Sequence, residues 1–441
     1  MKTRETLYAN KDGQLIIGGC KATELAKKYG TPLYVMDEDY IRSVCKSYLK
    51  VLDEKYKNSL VCFASKAFSC KAIYKIVASE RLGADVVSGG ELYTALSAGT
   101  DADKIYFHGN NKTERELNEA VQAGVHAVVI DSFDEVDLLD GIARNANKTQ
   151  KVLVRVNPGI DAHTHRFIQT TRVDSKFGFS ISDGAAIEAI KKILGKKNLK
   201  FTGLHCHIGS QIFELKPFCI AVDKMTDFIK KLNDELKCEV EELNMGGGYG
   251  ITYTAEDKPL EPYQYVEAIV DRLIQDTKEK KITPPRLVLE PGRSIVGEAG
   301  ITLYTVGAVK DIKDVKKYIS VDGGMFDNPR YALYEAKYEA VLANKANAKA
   351  EETVTVAGKC CESGDMLVVD AKLPKAERGD ILAVLSTGAY NYSMASNYNR
   401  NAIPPVVLVK GGKSDYIIKP QTYEDLASRD VCPTYLSEDK K

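Results

Sequence analysis

Lys66 closes an apolar run of strand character, Val61-Cys62-Phe63-Ala64-Ser65-Lys66-Ala67-Phe68, and a helix-like pattern starts just beyond it. A lysine at the end of a buried strand loses solvation, so its ammonium is disfavoured and its amine becomes a usable nucleophile. Covalent capture of an aldehyde needs such an amine. The same placement suits a lysine that merely extends its stem to solvent, and the stretch taken alone fits that plainer reading. Other chemically special residues recur in the same setting, each just after a short apolar run. They are Asp85 and Ser88, His108, Arg155 and Asn157, His205 through Ser210, Gly246 through Gly248, and Glu290 through Arg293. One such coincidence would mean little. The set argues for a site.

Gly246-Gly247-Gly248 let the backbone approach an anion closely and point several N–H groups at it, which suits a phosphate; a plain turn would use the same residues. Glu290 is a carboxylate in want of a cationic partner. Were that partner a protonated pyridine ring at ~3 Å, the attraction at an effective dielectric near 20 would be roughly 5 kcal/mol before desolvation. One pKa unit is about 1.4 kcal/mol, so such a carboxylate could keep the ring protonated at neutral pH, and an arginine in its place would do the opposite. A protonated ring is the better electron sink. An ion pair between Glu290 and Arg293 is the alternative. Two His-x-His pairs, His163/His165 and His205/His207, raise a metal reading, because residues two apart on a strand face the same side. Neither pair follows the first apolar run, where metal-dependent barrel hydrolases carry theirs and where Lys66 stands here. No metal is therefore expected, and His207 is read instead as lying flat against an aromatic ring. A lysine, a stacking histidine, a phosphate-binding glycine turn and a glutamate for a ring nitrogen together describe a pyridoxal 5′-phosphate site.

The elements that must position these residues follow from the rhythm of the chain. Eight short apolar or β-branched runs begin at Leu60, Ala84, Lys104, His126, Lys151, Phe201, Glu241 and Arg286. Helical patterns lie between them, at Ala67–Arg81, Thr113–Ala123, Phe133–Asn145, Leu215–Leu236 and Pro262–Lys280. Strands alternating with helices imply βαβ units and a parallel sheet. Eight units in roughly 230 residues fit a closed (β/α)8 barrel, whose usual size is about 250. A doubly wound open sheet would carry a glycine-rich fingerprint after its first strand, and Ser65-Lys66-Ala67-Phe68 has no glycine. The fold class expected is α/β: a (β/α)8 barrel followed by a mainly antiparallel β domain. In a barrel the active site gathers at the C-terminal ends of the strands, where the special residues stand.

Beyond Glu290 the helical patterns largely stop. Short alternating runs follow at Ile301–Val309, Tyr318–Val321, Thr353–Val356, Met366–Val369, Ile381–Val384, Val406–Val409 and Tyr416–Ile418, with Gly, Asp and Lys turns between them. The expected organisation is an N-terminal segment over 1–35 packing with the β domain, a cofactor-binding barrel over 36–290, and the β domain over 291–441. Lys191–Lys200 and Lys310–Lys317 read as solvated faces, and Ser437–Lys441 as a disordered charged tail.

Lys+Arg and Asp+Glu are both 61, so nothing in the charge balance calls for nucleic acid or an anionic membrane. No apolar run is long enough to span a bilayer. The ten cysteines include no Cys-x-x-Cys pair, and the first residues lack a signal-peptide core. A cytoplasmic protein with reduced thiols is expected.

Several longer motifs add to this reading: Phe63-Ala64-Ser65-Lys66-Ala67, Phe107-His108-Gly109-Asn110-Asn111-Lys112, Asn157-Pro158-Gly159-Ile160-Asp161-Ala162-His163-Thr164-His165, Lys176-Phe177-Gly178-Phe179, His205-Cys206-His207-Ile208-Gly209-Ser210-Gln211, and Lys359-Cys360-Cys361-Glu362-Ser363-Gly364-Asp365. With Gly246–Gly248 and Glu290–Arg293, they make the chain resemble the diaminopimelate decarboxylase family of fold type III, alanine-racemase-like pyridoxal-phosphate enzymes, over nearly its whole length. The resemblance implies that Lys66 holds the cofactor covalently. It implies cofactor contacts for Asp85, His108, His207, Ser210, Gly246, Gly247, Gly248, Glu290, Gly292, Arg293 and Tyr390. It implies that Arg293, Arg330, Tyr334, Glu362 and Tyr390 bind substrate, and that Cys361 donates a proton. It further implies a homodimer with shared active sites, Cys361 and Glu362 coming from the second subunit.

The substrate expected on that resemblance is meso-2,6-diaminopimelate, decarboxylated to L-lysine. The residue types agree: two arginines suit a distal carboxylate and Glu362 suits a distal ammonium. A diamine-producing relative would find buried arginines repulsive. Rival readings are a racemase on the same fold, a decarboxylase of another basic amino acid or polyamine precursor, and a binding protein without activity.

Overall fold

The structure is a computed structural model and describes residues 3–160 and 176–437. His163, His165 and most of the motif around them lie outside the described residues, as do residues 438–441 of the charged tail. The chain forms two compact units. One comprises Glu38–Ala299 and Gly388–Ser393; the other comprises Met1–Asp37, Gly300–Thr387 and Met394–Lys441.

The first unit is a closed parallel barrel. Its strands are Ser59–Ala64, Gly83–Val86, Ile105–Phe107, Ala127–Ile130, Gln150–Asn157, Leu199–His205, Glu242–Asn244 and Arg286–Leu289. Each pairs in parallel with the next, and the eighth pairs with the first through Leu289 opposite Val61. The eight expected runs are thus the eight barrel strands. They are legible because a strand covered on both faces reads as a nearly continuous apolar run. Along strand 1, Leu60 and Cys62 join Tyr106, Ala127, Val129, Leu153 and Val288 in one core cluster.

Polar caps fix where several of the barrel helices begin. Ser88 accepts from the Glu91 N–H, Ser132 accepts from the Glu135 N–H, and Thr113 with Glu116 forms a reciprocal capping box. One expected boundary shifts. The helix read as Ala67–Arg81 spans Lys71–Ser79, and the chain after strand 1 first makes a 3-10 turn over Ser65–Ala67. Phe68 and Cys70 are then extended, at φ −165° and −159°, and both are buried. Burying those two side chains stretches the backbone where helical propensity alone would have continued the helix.

At the N-terminal mouth of the barrel, the Tyr106 hydroxyl donates to Glu242, and His126 Nε2 lies 2.8 Å from the same carboxylate. These groups plug the face opposite the strand ends that carry the special residues.

The second unit is built on a mostly antiparallel sheet. Its strand order is Met366–Leu373, Glu352–Ala357, Lys316–Val321, Gly300–Ile312, Leu33–Asp37, Val406–Lys410 and Lys413–Ile418, with Ile381–Val384 also paired to Gly300–Ile312. The N-terminal strand Leu33–Asp37 is therefore central to this sheet, antiparallel to Gly300–Ile312 and parallel to Val406–Lys410. Leu33, Val35, Ile301, Leu303, Ala383 and Val407 share one buried cluster. The lysine-rich stretch from Lys310 lies in an exposed hairpin, as its composition predicts.

Among the described residues no helix is long and apolar enough to cross a membrane.

Candidate active site

Glu290 follows strand 8 and is 6% exposed. Its backbone N–H donates to the Gly246 carbonyl at 2.7 Å, so strand 7 fixes where its side chain starts. Three neighbours then hold the carboxylate. His108 Nε2 lies 2.8 Å from Oε1, Asn244 Nδ2 donates to Oε1 at 2.6 Å, and His205 Nε2 lies 3.2 Å from Oε2. These partners come from the ends of strands 3, 7 and 6. Asn244 also accepts from the Gly246 N–H at 2.9 Å, which joins the carboxylate to the glycine turn.

Burial by itself would raise the Glu290 pKa, but His108 and His205 outweigh it and hold the carboxyl well below its usual range. His108 feels the opposite balance. Burial disfavours its cation, yet Asp85 and Glu290 outweigh that, so its pKa is raised. His205 is pushed down to about 3 by burial and is neutral. Asp85, 3.7 Å from His108 Nε2, is pushed up to about 6 by burial. Its Oδ1 is buried without a hydrogen-bond partner. The floor of the site is thus an ionised glutamate whose three neighbours do not exhaust its acceptor capacity, so it can take one further donor. His108, His205 and Glu290 are also the one group of metal-capable side chains among the described residues, their ligand atoms lying within 4.8 Å of one another. Both imidazole Nε2 atoms face the carboxylate in hydrogen bonds, and His205 Nδ1 has no acceptor to support a ring metallated at Nε2.

His207, half-buried beside this floor, accepts from the Gly247 N–H at Nδ1, 3.3 Å away. That bond leaves the ring proton on Nε2. Burial, reinforced by the charge of Lys66, holds the His207 pKa well below its ordinary value. A neutral flat ring suits stacking. The glycine turn is built for close approach: Gly246 and Gly248 have φ +65° and +109°, and a Cβ on Gly248 would stand 2.2 Å from the Gly209 carbonyl. A Cβ on Gly247 would meet the Glu290 carbonyl at 2.2 Å, and one on Gly292 would meet Ala64 Cβ at 2.9 Å.

Arg293 points away from Glu290. Its Nη2 donates to Ser210 Oγ at 3.0 Å and its Nη1 to the Tyr253 hydroxyl at 2.5 Å, and its guanidinium sits 4.7 Å from the centre of the Tyr390 ring. The alternative of a Glu290–Arg293 ion pair is excluded by these partners. Tyr390 belongs to the short segment that returns to the barrel unit. Its N–H donates to the Ala67 carbonyl at 2.8 Å, and Ser393 Oγ donates to the same oxygen at 3.1 Å. The turn that carries Lys66 is therefore clamped by residues more than three hundred positions away. Lys66 itself is exposed, which corrects the expectation of a desolvated lysine: the 3-10 turn lifts it out of the strand's burial.

The remaining candidates lie in the other unit. Arg330 is 8% exposed and donates to the Tyr338 hydroxyl at 2.6 Å. Tyr334, four residues on, is 36% exposed. Cys361 and Glu362 are exposed. Their loop is held from within by Asp365, which accepts from the Cys360 N–H at 2.7 Å and from the Met325 N–H at 2.6 Å. Asn244 and Asp365 escaped the sequence reading. Asn244 ends strand 7, so a polar residue closing an apolar run was the available signal; Asp365 offered none beyond its place in a motif.

The barrel residues fit pyridoxal 5′-phosphate. An exposed amine could take an aldehyde, a buried anion with acceptor capacity left could take a protonated ring nitrogen, and a tight glycine turn beside Ser210 and Arg293 could take a phosphate.

Comparison with known proteins agrees. Residues 38–297 match the family described as pyridoxal-dependent decarboxylase, pyridoxal binding domain. The chain is 50% identical over 414 residues to the diaminopimelate decarboxylase of Bacillus methanolicus, covering 94% of this chain and 96% of that one. It is 46% identical to the Bacillus subtilis diaminopimelate decarboxylase over 426 residues, 97% of each chain. The crystal structure of diaminopimelate decarboxylase from M. jannaschii in complex with L-lysine superposes with a TM-score of 0.92 at 38% identity, covering 98% of this chain and 99% of that one. The chain belongs to the diaminopimelate decarboxylase family of pyridoxal-phosphate-dependent enzymes.

Proposed function

We propose that this protein decarboxylates meso-2,6-diaminopimelate to L-lysine and carbon dioxide, in the cytoplasm, as a homodimer whose active sites draw on both subunits. The observation that carries the chemistry is Glu290, an ionised carboxylate held by His108, Asn244 and His205 where a ring nitrogen would need it. The relatives' names support the substrate.

When bound, the cofactor supplies a protonated ring that accepts the electron pair left behind as the α-carboxylate departs. The protein's own residues do the rest. Lys66 would offer the amine that holds the cofactor aldehyde. Glu290 would keep a proton on the ring nitrogen, with Asp85 and His108 setting the charge around it. His207 would lie against the ring. The N–H groups of Gly246–Gly248, with Ser210, Gly292 and Arg293, would hold the phosphate.

Substrate recognition would be divided. Arg293, Arg330 and Tyr334 suit the distal carboxylate, Glu362 the distal ammonium, and Tyr390 the junction of cofactor and substrate. Cys361 would deliver from Sγ the proton that replaces carbon dioxide at Cα. Cys361 and Glu362 sit on an exposed loop, which accords with their serving the site of a second copy. Burial of Arg330 disfavours a substrate whose distal end is only an ammonium. Glu290, rather than an arginine, disfavours a racemase. Incubating the loaded enzyme with diaminopimelate, lysine, ornithine and arginine and identifying the products tests the assignment: carbon dioxide and L-lysine from diaminopimelate alone is the expected result, and a diamine from another substrate would overturn it.

A further inference from the structure

Lys112 is a buried lysine that the cofactor site does not use directly. It stands at the end of the loop His108–Lys112 after strand 3, and its side chain is 1% exposed. Its Nζ donates to the Gly109 carbonyl at 2.7 Å and to the Val129 carbonyl at 2.8 Å, and it forms an ion pair with Glu135 Oε1 at 2.6 Å. Glu135, 7% exposed, in turn accepts at Oε2 from the Asp131 N–H at 3.0 Å. One ammonium therefore ties the loop after strand 3 to strand 4 and to the helix Phe133–Asn145. A surface lysine would give the fold the same stem at no desolvation cost, so the burial calls for a reason beyond stability.

Gly109 supplies that reason. It directly follows His108, the residue whose Nε2 lies 2.8 Å from Glu290 Oε1. Gly109 has φ +129°, a region that favours glycine, and the loop 108–112 contains no helix or strand. His108 is held on its own N–H by the Val86 carbonyl at 2.8 Å, and Lys112 holds the carbonyl of the residue after it. With both sides of His108 pinned, its imidazole is aimed at Glu290.

We propose that Lys112 and Glu135 are positioning residues of the cofactor site, acting through the Gly109 carbonyl to fix His108 against Glu290. The inference rests on the reading that Glu290 and His108 face the cofactor ring. Neither Lys112 nor Glu135 touches the reacting atoms.

The test is the affinity of cofactor-free protein for pyridoxal 5′-phosphate, measured by equilibrium dialysis, for Glu135→Gln, His108→Gln and the double variant, with cofactor-free melting recorded for each. Each single variant is expected to bind the cofactor about tenfold more weakly, and the double variant no more weakly than His108→Gln alone, because both changes act on one contact. Additive losses, or a lowered melting temperature with unchanged affinity in Glu135→Gln, would overturn the proposal. Unchanged affinity in His108→Gln would overturn the reading beneath it as well, so the two failures are told apart. Should Glu135→Gln fail to fold, Lys112→Met/Glu135→Leu replaces the buried pair with apolar side chains that leave no unpaired charge. That variant is expected to fold and to show the same tenfold loss; wild-type affinity in it would overturn the proposal.

Discussion

His108 Nε2 and Glu290 Oε1 stand 2.8 Å apart in a pocket where Asn244 donates to the same oxygen. The pair fixes the electrostatics of the site. An ionised Glu290 beside a protonation-prone His108 can favour a ring proton without losing its own charge as the pH changes near neutrality. The Glu290 pKa lies well below 4.5, so its charge is present above that value and is lost only as the pH falls through the lowered one.

Glu290→Gln removes the anion and keeps the shape. The expected outcome is a fall in kcat of about 10²–10³, the size seen when one preorganised electrostatic group is lost, with the cofactor still retained. Steady-state assays with an absorbance spectrum of the bound cofactor check it. Near-wild-type turnover would show that the carboxylate does not hold the ring proton.

Gly248→Ala places a methyl 2.2 Å from the Gly209 carbonyl on a residue with φ +109°. The two turns must then separate. Cofactor affinity is expected to drop by at least about tenfold, with the barrel still folded because both turns lie at the strand ends rather than in the core. Equilibrium dialysis and circular dichroism report the two effects separately.

The proposed sharing of sites between two subunits makes a complementation prediction. Lys66→Ala and Cys361→Ala homodimers should each be nearly inactive. After mixing under conditions that exchange subunits, about half of the dimers are mixed and each carries one intact site, so activity should recover to about a quarter of wild type. No recovery, despite exchange shown by differently tagged subunits, would mean that each chain completes its own site.

Asp327 offers a pH test remote from the chemistry. It is fully buried, its Oδ1 receives the Tyr304 hydroxyl and its Oδ2 the Gly324 N–H at 2.8 Å. Burial pushes its pKa from 3.8 up to about 8. A folded pKa above the unfolded one contributes stability that is complete below the unfolded value and lost as the pH rises through the folded one. The window is therefore about pH 4 to 8. Relative to Asp327→Asn, which cannot titrate, the wild-type melting temperature should fall across that window, by on the order of 5 °C. Parallel melting curves for the two proteins from pH 5 to 9 would remove this carboxyl from the account.

Much of this was legible in the sequence, and the exceptions share a cause. The barrel strands announced themselves because buried parallel strands are apolar throughout, and the β unit because its runs alternate. Lys66, His207, Gly246–Gly248 and Glu290 stood out as reactive or glycine residues at run ends. Asn244 did not, because an asparagine after an apolar run looks like a turn until the Glu290 it serves, 46 positions on, folds beside it. The clamp of Tyr390 on Ala67 is likewise a product of tertiary contact, and the exposure of Lys66 follows from a local 3-10 turn that the apolar run does not announce. Lys112 was visible only as part of a motif; its burial and its grip on Gly109 are properties of the folded loop.

The most direct measurement is release of carbon dioxide from meso-diaminopimelate by the cofactor-loaded wild type and by Lys66→Ala, with L-lysine quantified as the product. Stoichiometric carbon dioxide and L-lysine from the wild type, and turnover lower by several orders of magnitude in Lys66→Ala, is the predicted result. Undiminished decarboxylation by Lys66→Ala, or no lysine from the wild type, would contradict the account.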